Sequence, residues 1–266
     1  MLDRFDRTIN YLRISVTDRC NLRCCYCMPE EGIELLRHED ILSFDEITDF
    51  TQAAVKKGIN KVRITGGEPL VRKGLVTLVR MIAEIEGIRD LSMTTNGVLL
   101  KDFAYDLKAA GLHRVNISLD TADQEKFAYI TRGGNLDDVF EGIAVAKKAG
   151  LAPVKINCVI VKSKEEEDAR TIADLCLRNG LEIRYILQMD LVNGHFSTVE
   201  GGTGGNCSMC NRLRLTANGK LKPCLFDELE FDIRKMGYDN AIMKAIEFKP
   251  ECGSSNVTGK FYNIGG

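Results

Sequence analysis

The sequence predicts an α/β protein built as a partial six-stranded (β/α)6 barrel, an incomplete TIM barrel, with a small C-terminal extension. Strand-like and helix-like segments alternate six times between residues 11 and 190, which is typical of a parallel sheet. Along the strands, apolar and polar residues alternate, whereas strands of an open parallel sheet are apolar on both faces. One sheet face is therefore expected to pack on helices and the other to line a polar lumen. A sheet with one solvent-exposed face is the less favoured alternative.

Six strand-like runs define the predicted sheet, and they lie at residues 11–16, 61–65, 91–95, 114–119, 154–161 and 182–189. Helix boundary signals separate these runs. They are capping boxes at Ser43 with Glu46 and at Ser163 with Glu166, an N-cap at Asn135, and terminal glycines at Gly58, Gly150 and Gly180. The signals place helices between the strands, as a (β/α) repeat requires.

The apolar residues of the strands share one parity, as Leu12, Ile14 and Val16 do in the first strand. The opposite parity carries a set of cationic side chains, namely Arg13, Lys61, Arg63, Lys155 and Arg184. Residues of one parity point to the same sheet face, so these cations are expected in the lumen. Each arginine has an alternative role in an interior ion pair with Asp18, Asp120 or Asp190.

After residue 190 the strand–helix rhythm stops. Residues 199–206, VEGGTGGN, indicate a flexible Gly-rich connector, and residues 212–223 indicate a hairpin with Asn218-Gly219 at the turn. The hairpin puts Arg212 and Arg214 on one face and two leucines on the other. A short helix is expected near residues 238–248. We therefore divide the chain into a barrel domain, residues 1–190, and a C-terminal region, residues 191–266.

Composition excludes several classes of protein. The 266 residues carry 36 Lys and Arg against 38 Asp and Glu, a net charge of −2, which argues against a nucleic-acid binder. Apolar runs are too short to span a membrane, and the first residues do not resemble a secretory signal. We expect a cytoplasmic protein. In that compartment ten cysteines favour metal or redox chemistry over disulfides.

The cysteines form two triplets. Cys20, Cys24 and Cys27 follow the first strand, and Cys207, Cys210 and Cys224 flank the predicted hairpin. Three thiolates can hold three irons of a [4Fe–4S] cluster and leave the fourth iron open, and a zinc site is the alternative. Cys25 is interpreted as a spectator. Cys252 is a potential fourth ligand, which would close the second cluster.

The segment CNLRCCYC at residues 20–27 resembles the signature of the radical S-adenosylmethionine (SAM) superfamily, and Thr65-Gly66-Gly67-Glu68-Pro69 resembles its GGEP segment. The resemblance implies that the open iron of the first cluster binds SAM, which an electron cleaves to a 5′-deoxyadenosyl radical. The SAM-binding residues that it implies are Gly66, Gly67, Glu68, Thr94, Asn96, Ser118, Lys155 and Met189. In the GGEP segment, glycines permit a close approach of the backbone to the ligand and Glu68 can accept from an ammonium.

CSMCNRLRLTANGKLKPCLF at residues 207–226 resembles the auxiliary-cluster segment of the GTP 3′,8-cyclase family of molybdenum cofactor biosynthesis, and further matches cover nearly the whole chain. The resemblance implies two [4Fe–4S] clusters, SAM and conversion of GTP to (8S)-3′,8-cyclo-7,8-dihydroguanosine 5′-triphosphate. It implies guanine on the second cluster, and a triphosphate held by Arg13, Lys61, Arg63, Arg184, Arg212 and Arg214. It also implies a functional tail, Gly265-Gly266, in the active site.

The implied partners are a flavodoxin- or ferredoxin-like electron donor, a downstream cyclic pyranopterin monophosphate synthase and a second copy of the chain in a homodimer. The stretch before Cys207 is shorter than is usual in the family, and is either natural or an engineered shortening. Two other functions stay open. One is a radical SAM peptide-modifying enzyme with one auxiliary cluster. A neutral peptide substrate would not need the row of cations. The other is a non-enzymatic electron-transfer or zinc-structured protein, which leaves GGEP unexplained.

Overall fold

A computed structural model describes residues 1–257 and 261–264 of the chain. Its strands are β1 Tyr11–Ser15, β2 Lys61–Thr65, β3 Asp90–Thr95, β4 Arg114–Ser118, β5 Lys155–Ile160, β6 Glu182–Leu187, β7 Arg212–Leu215, β8 Lys220–Lys222 and β9 Phe231–Asp232. The first six strands confirm the predicted runs to within two residues at each end. No helix in this described part is long and apolar enough to cross a membrane.

The helices are α1 Phe44–Lys56, α2 Leu75–Ala83, α3 Leu100–Ala109, α4 Gln124–Thr131, α5 Leu136–Lys148, α6 Glu167–Asn179, α7 Ile233–Met236, α8 Tyr238–Glu247 and α9 Phe261–Ile264. The capping box before α1 is confirmed: Ser43 Oγ accepts from the Glu46 amide at 3.1 Å, and Glu46 Oε2 accepts from the Ser43 amide at 2.8 Å. Asn135 caps α5 as predicted, and Gly180 ends α6 in a left-handed conformation.

The predicted capping box at Ser163 is wrong. Helix α6 begins only at Glu167, and Ser163 Oγ accepts from the Glu165 amide at 3.2 Å instead. The Glu166 carboxylate turns back and accepts from the amides of Val161, Lys162 and Ser163. Because these amides already have an acceptor, the turn after β5 closes on Glu166 and the helix starts later.

One open sheet contains all of these strands, in the order β6-β5-β4-β3-β2-β1-β7-β8-β9. Strands β1 to β6 are parallel and consecutive, as the partial barrel requires. Beyond β1 the sheet continues into β7, which is parallel to β1 with Arg13 opposite Arg214. Strands β8 and β9 then add antiparallel, so the predicted hairpin is confirmed and is an extension of the barrel sheet.

The two faces of the sheet have the predicted characters. Leu12, Ile14, Val62, Ile64 and Met93 are fully buried in the main core against the helices. At about 25 cal/mol per Å² of apolar surface, this core is the main stabilising term of the fold. The opposite face lines a cavity, as the alternation of the strands predicts.

The Gly-rich segment 199–206 was expected to be a flexible connector, and it instead forms one wall of this cavity. Glu200 forms an antiparallel bridge with Tyr185 at the edge of β6. Val199 is buried, and its amide donates to the Gly204 carbonyl at 2.8 Å. The edge of a parallel sheet offers unpaired backbone groups, and this segment satisfies some of them.

Gly142, in the middle of α5, offers a test of how helix packing supports the cavity wall. A Cβ at this position would lie 2.5 Å from the Gly97 carbonyl oxygen, next to Asn96, which lines the cavity. Alanine normally stabilises a helix by about 1 kcal/mol over glycine. We expect Gly142→Ala to lower the free energy of unfolding by about 1–3 kcal/mol because of this backbone clash, as measured by chemical denaturation. An unchanged or higher stability would show that α5 shifts freely.

Candidate active site

A cavity of about 580 Å³ opens on the polar face of the sheet, and both cysteine triplets line it. The first triplet follows the carboxyl end of β1, while Cys210 precedes the amino end of the parallel strand β7. A five-residue strand spans roughly 17 Å, so the triplets lie at opposite ends of one strand pair. Any ligand that contacts both must lie along these strands.

The first triplet lies in a tight loop. The Cys27 and Met28 amides both donate to the Cys24 carbonyl, at 2.9 and 3.0 Å. Arg132 closes the loop from outside, since its guanidinium donates to the carbonyls of Arg23 and Met28 at 2.8 and 2.9 Å. Cys20, Cys24 and Cys27 line the cavity, whereas Cys25 is exposed and does not.

These thiols fit a cationic iron–sulfur core. Burial, and then repulsion from the neighbouring thiolates, raises the pKa of Cys24 to about 12, and burial raises that of Cys27 to about 11. Positive irons would offset both causes. In the described part of the chain no three His, Cys, Asp or Glu groups converge on one point as the ligands of a single ion would. Thiolates that each bind a different iron need not converge.

Gly66 and Gly67 allow two loops to touch. A Cβ on Gly67 would lie 2.4 Å from the Arg19 carbonyl oxygen, and one on Gly66 would lie 2.9 Å from that of Thr17. The amides of Gly67 and Glu68 donate to the carbonyls of Thr17 and Arg19, both at 2.8 Å. The glycines therefore bring the GGEP segment against the cluster loop, in addition to lining the cavity.

Glu68 has hydrogen-bond partners within the protein. It is buried and does not line the cavity, and its carboxylate accepts from the Leu70 amide, the Thr95 hydroxyl and the Asn96 amide at 3.0, 2.8 and 2.7 Å. Burial raises the pKa of this carboxyl to about 7, although these donors oppose the shift. These contacts fasten the end of β3 to the GGEP turn.

Of the other residues assigned to SAM, Thr94, Asn96, Ser118 and Met189 line the cavity. The buried hydroxyls of Thr65 and Thr94 have no hydrogen-bond partner among the described residues, so they can serve a ligand there. Lys155 lies elsewhere. Its ammonium pairs with Glu182 at the amino ends of β5 and β6, and it does not line the cavity.

All six cations assigned to the triphosphate line the cavity, together with a seventh that the sequence analysis missed, Arg114. Asp90 is the only carboxylate among the described lining residues, and it holds Arg114 by two hydrogen bonds of 3.1 and 2.6 Å. Arg114 has the same strand parity as Ser118, which could have identified it.

Burial first, then neighbouring cations, lowers the pKa of Arg214 to about 10. Burial also lowers the pKa of Arg63 to about 10, with repulsion from other arginines contributing.

Three tyrosines that line the cavity were also missed, namely Tyr11, Tyr26 and Tyr262. Tyr11 lies between Arg63 and Arg212, whose guanidinium carbons are 5.5 and 5.6 Å from its ring centre. Cation–π attraction of this kind keeps two like charges close together. Tyr26, between two cluster cysteines, donates to Asp120 at 2.7 Å, and burial raises the pKa of its hydroxyl. An aromatic residue with the parity of the cations is the signal that would have found Tyr11.

The aspartates that were alternatives for these arginines have other partners. Asp18 accepts from the Leu36 amide, Asp120 from the Tyr26 hydroxyl and the Val159 amide, and Asp190 from Asn193. Arg184 donates to the Gly201 carbonyl at 3.3 Å, and Arg212 to the Thr203 hydroxyl at 2.6 Å. The Gly-rich segment thus orients two of the cations without neutralising them.

In the second triplet, Cys207, Cys210 and Cys224 all line the cavity, and Cys252 does not. Cys252 Sγ is nevertheless 3.1 Å from Cys207 Sγ, on the exposed side. Beside the triplet, Leu191, Leu225, Phe226 and Ile264 form a small apolar cluster that fixes the chain tail. The tail residues Gly265 and Gly266 lie outside the described residues.

Comparisons with known proteins agree with this geometry. Residues 14–176 match the Radical SAM superfamily, and residues 165–249 match the family described as Molybdenum Cofactor Synthesis C. The GTP 3′,8-cyclase of Thermodesulfovibrio yellowstonii is 45% identical over 305 aligned positions, which cover 94% of this chain and 95% of that protein. That of Moorella thermoacetica is 44% identical, with 88% and 86% covered. The chain belongs to the GTP 3′,8-cyclase family of radical SAM enzymes.

Membership in the radical SAM superfamily brings with it SAM and an iron–sulfur cluster. The alignment with the Thermodesulfovibrio yellowstonii protein has 305 positions, which is more than the 266 residues of the chain. That protein therefore has segments that this chain lacks, in keeping with the short stretch before Cys207. Among solved structures, native anSMEcpe with bound AdoMet has a TM-score of 0.63 at 14% identity, covering 91% of this chain and 81% of that one. SuiB of Streptococcus suis bound to S-adenosylmethionine has a TM-score of 0.55 at 21%, covering 69% and 41%. These two establish the fold and confirm the partial barrel.

The contact between the GGEP turn and the cluster loop predicts the effect of Gly67→Ala in this radical SAM enzyme. The new Cβ meets backbone, which cannot move aside, so we expect a loss of about 2 kcal/mol or more in stability and poor assembly of the first cluster. Iron and sulfide analysis after anaerobic reconstitution measures the assembly. Gly202→Ala is the control, because a Cβ there would meet only side-chain atoms, the nearest at 3.1 Å. Equal cluster content in both variants would contradict the prediction.

Proposed function

We propose that this chain is a GTP 3′,8-cyclase, which converts GTP to (8S)-3′,8-cyclo-7,8-dihydroguanosine 5′-triphosphate in molybdenum cofactor biosynthesis. The observation that carries the proposal is the single cavity, in which two cysteine triplets and seven cations meet only one described carboxylate. A triphosphate brings several negative charges, and arginine forks match its oxygens. The names of the relatives point to the same substrate.

The first triplet, Cys20, Cys24 and Cys27, would hold the cluster that binds SAM. When bound, the cluster and SAM together supply an organic radical. Gly66, Gly67, Thr94, Asn96, Ser118 and Met189 are the proposed contacts of SAM, because they line the same cavity as this triplet. Glu68 acts on the SAM site indirectly, because it fixes the positions of Thr95 and Asn96. Lys155 is outside the proposed contacts because it pairs with Glu182.

The cations hold and orient the substrate. Arg13 and Arg214 face each other across the β1–β7 pairing, and Lys61 and Arg63 stand on the neighbouring strand β2. Burial and mutual repulsion lower the pKa of Arg13. A polyanion bound among these cations offsets their repulsion. Much of the binding energy therefore comes from relief of a charge repulsion that is already present in the fold.

The second triplet would hold a second [4Fe–4S] cluster with an open iron for the guanine edge. Gly265 and Gly266 would act in the active site, since Ile264, the residue before them, is buried in the apolar cluster beside the cavity. A flavodoxin- or ferredoxin-like donor would supply the electron, and cyclic pyranopterin monophosphate synthase would take the product. We further propose a homodimer, and a cytoplasmic location, where reducing conditions suit ten unpaired cysteines.

The test of the function is base selectivity at the second cluster. In a variant with Cys20, Cys24 and Cys27 replaced by Ala, we expect iron analysis to show one remaining cluster. We expect GTP, but not ATP or UTP, to perturb its magnetic-resonance spectrum, because only GTP offers the guanine edge. Equal responses to all three nucleotides would leave only electrostatic binding. A response to GTP that appears only with Cys252→Ala would mean that Cys252 closes the cluster, and the peptide-modifying alternative would then be favoured.

Arg184→Ala tests the role of the cations separately from SAM chemistry. The loss of one charge-assisted contact costs about 1.5–3 kcal/mol, which is roughly ten- to 150-fold in GTP affinity by calorimetry. Reductive cleavage of SAM should be unaffected, because Arg184 lies on β6, among the cations rather than beside the first triplet. Arg178→Ala, on the exposed side of α6, is the control and should leave GTP binding unchanged. Wild-type affinity in Arg184→Ala would remove this residue from the substrate site.

A further inference from the structure

Lys249 is a buried cation behind the second cysteine triplet. Its side chain is almost fully buried, and it does not line the cavity that holds the proposed GTP contacts. Its ammonium donates to the Arg212 carbonyl at 2.8 Å and to the Pro223 carbonyl at 2.5 Å. The first carbonyl is two residues after Cys210 and the second belongs to the residue before Cys224, so these contacts place the ammonium next to both cysteines. No carboxylate among the described residues forms an ion pair with it.

The position of Lys249 is fixed from both sides. It follows α8, which packs on the core through Ala241, Ile242, Ala245 and Ile246. On the other side, Arg7 donates to the Pro250 and Glu251 carbonyls at 2.7 and 2.8 Å, and to the Cys207 carbonyl at 2.8 Å. Arg7 is itself held by an ion pair with the buried Asp3 at 2.7 Å. The chain thus places one ammonium against the triplet by several independent contacts.

A buried ammonium without a negative partner is costly, because carbonyl groups and a neutral thiol replace only part of its lost hydration. The cost disappears if the neighbouring sulfurs are thiolates. Three thiolates outweigh the charge of an oxidised four-iron core, so the assembled cluster is an anion, and reduction adds another negative charge. Lys249 is complementary to that group, and not to the metal-free thiols.

We propose that the Lys249 ammonium is the built-in counter-ion of the second iron–sulfur cluster. It holds the Arg212 and Pro223 carbonyls at the two ends of the hairpin, next to Cys210 and Cys224, and it favours the reduced over the oxidised cluster. Lys249 is a positioning residue, distinct from the arginines on the cavity side, which serve the substrate. The inference rests on the second cluster of the proposed function.

The experiment compares Lys249→Met, Lys249→Gln and Lys249→Arg in the full-length enzyme with both clusters. Gln retains a hydrogen-bond donor without the charge, so it carries the test if the Met variant fails to fold. Reduction potentials are followed by magnetic resonance, and SAM identifies the signal of the first cluster. We expect the preference of the second site for the reduced cluster to fall about tenfold in Met and Gln, a drop of about 60 mV, with recovery in Arg. Iron release from this site to a chelator should be about tenfold faster.

Two controls separate this role from a structural one. The first cluster, in the same molecule, should keep its potential. The double variant Lys222→Met/Glu230→Gln removes another buried ammonium, two residues before Cys224, together with the carboxylate 3.9 Å from it, so the net charge around the cluster is unchanged. This double variant should lower stability and leave the second potential nearly unchanged. An unchanged second potential in Lys249→Met and Lys249→Gln would overturn the proposal, whereas a wild-type chain that assembles only one cluster would overturn the proposed function instead.

Discussion

The parallel pairing of β1 with β7 is the constraint on which the rest of the site depends. These strands lie about two hundred residues apart in sequence, yet Arg13 and Arg214 are direct neighbours in the sheet. The pairing brings the loop after β1 and the segment before β7 to opposite ends of one strand pair. Each end carries a cysteine triplet, and the cavity between them is lined by the polar parity of the intervening strands. Without this pairing the two triplets would belong to unrelated parts of the chain.

The second organising feature is an excess of positive charge that the protein tolerates. Burial, and then repulsion from neighbouring guanidinium groups, lowers the pKa values of Arg13, Arg63 and Arg214. Hydrophobic burial on the other face of the same strands offsets that cost, since Leu12, Ile14, Val62 and Leu213 are fully buried. A single strand alternation thus supplies stability on one face and an anion site on the other.

The cations near the second triplet divide into two kinds. Arg212 and Arg214 line the cavity, whereas Lys249 lies behind the triplet and donates to the Arg212 and Pro223 carbonyls. Because carbonyl groups hold the Lys249 ammonium, its positive charge stays beside the triplet whether or not a substrate is bound. Arg7 extends this rigid support to Cys207 and to the segment that carries Cys252. The amino-terminal residues therefore help to build a site at the other end of the chain.

The sequence alone determined the strand positions, the inward parity of Arg13, Lys61, Arg63 and Arg184, the two cysteine triplets and the hairpin, because each depends on local periodicity or spacing. It failed where contacts join distant segments. The β1–β7 pairing, the wall built by residues 199–206 and the burial of Glu68 away from the cavity depend on which surfaces meet in space. Lys155 shares the inward parity but lies at the amino end of its strand, where Glu182 pairs with it. Lys249 carries no local signal at all, and only tertiary packing places its charge beside Cys210, since burial and distance are properties of the folded chain.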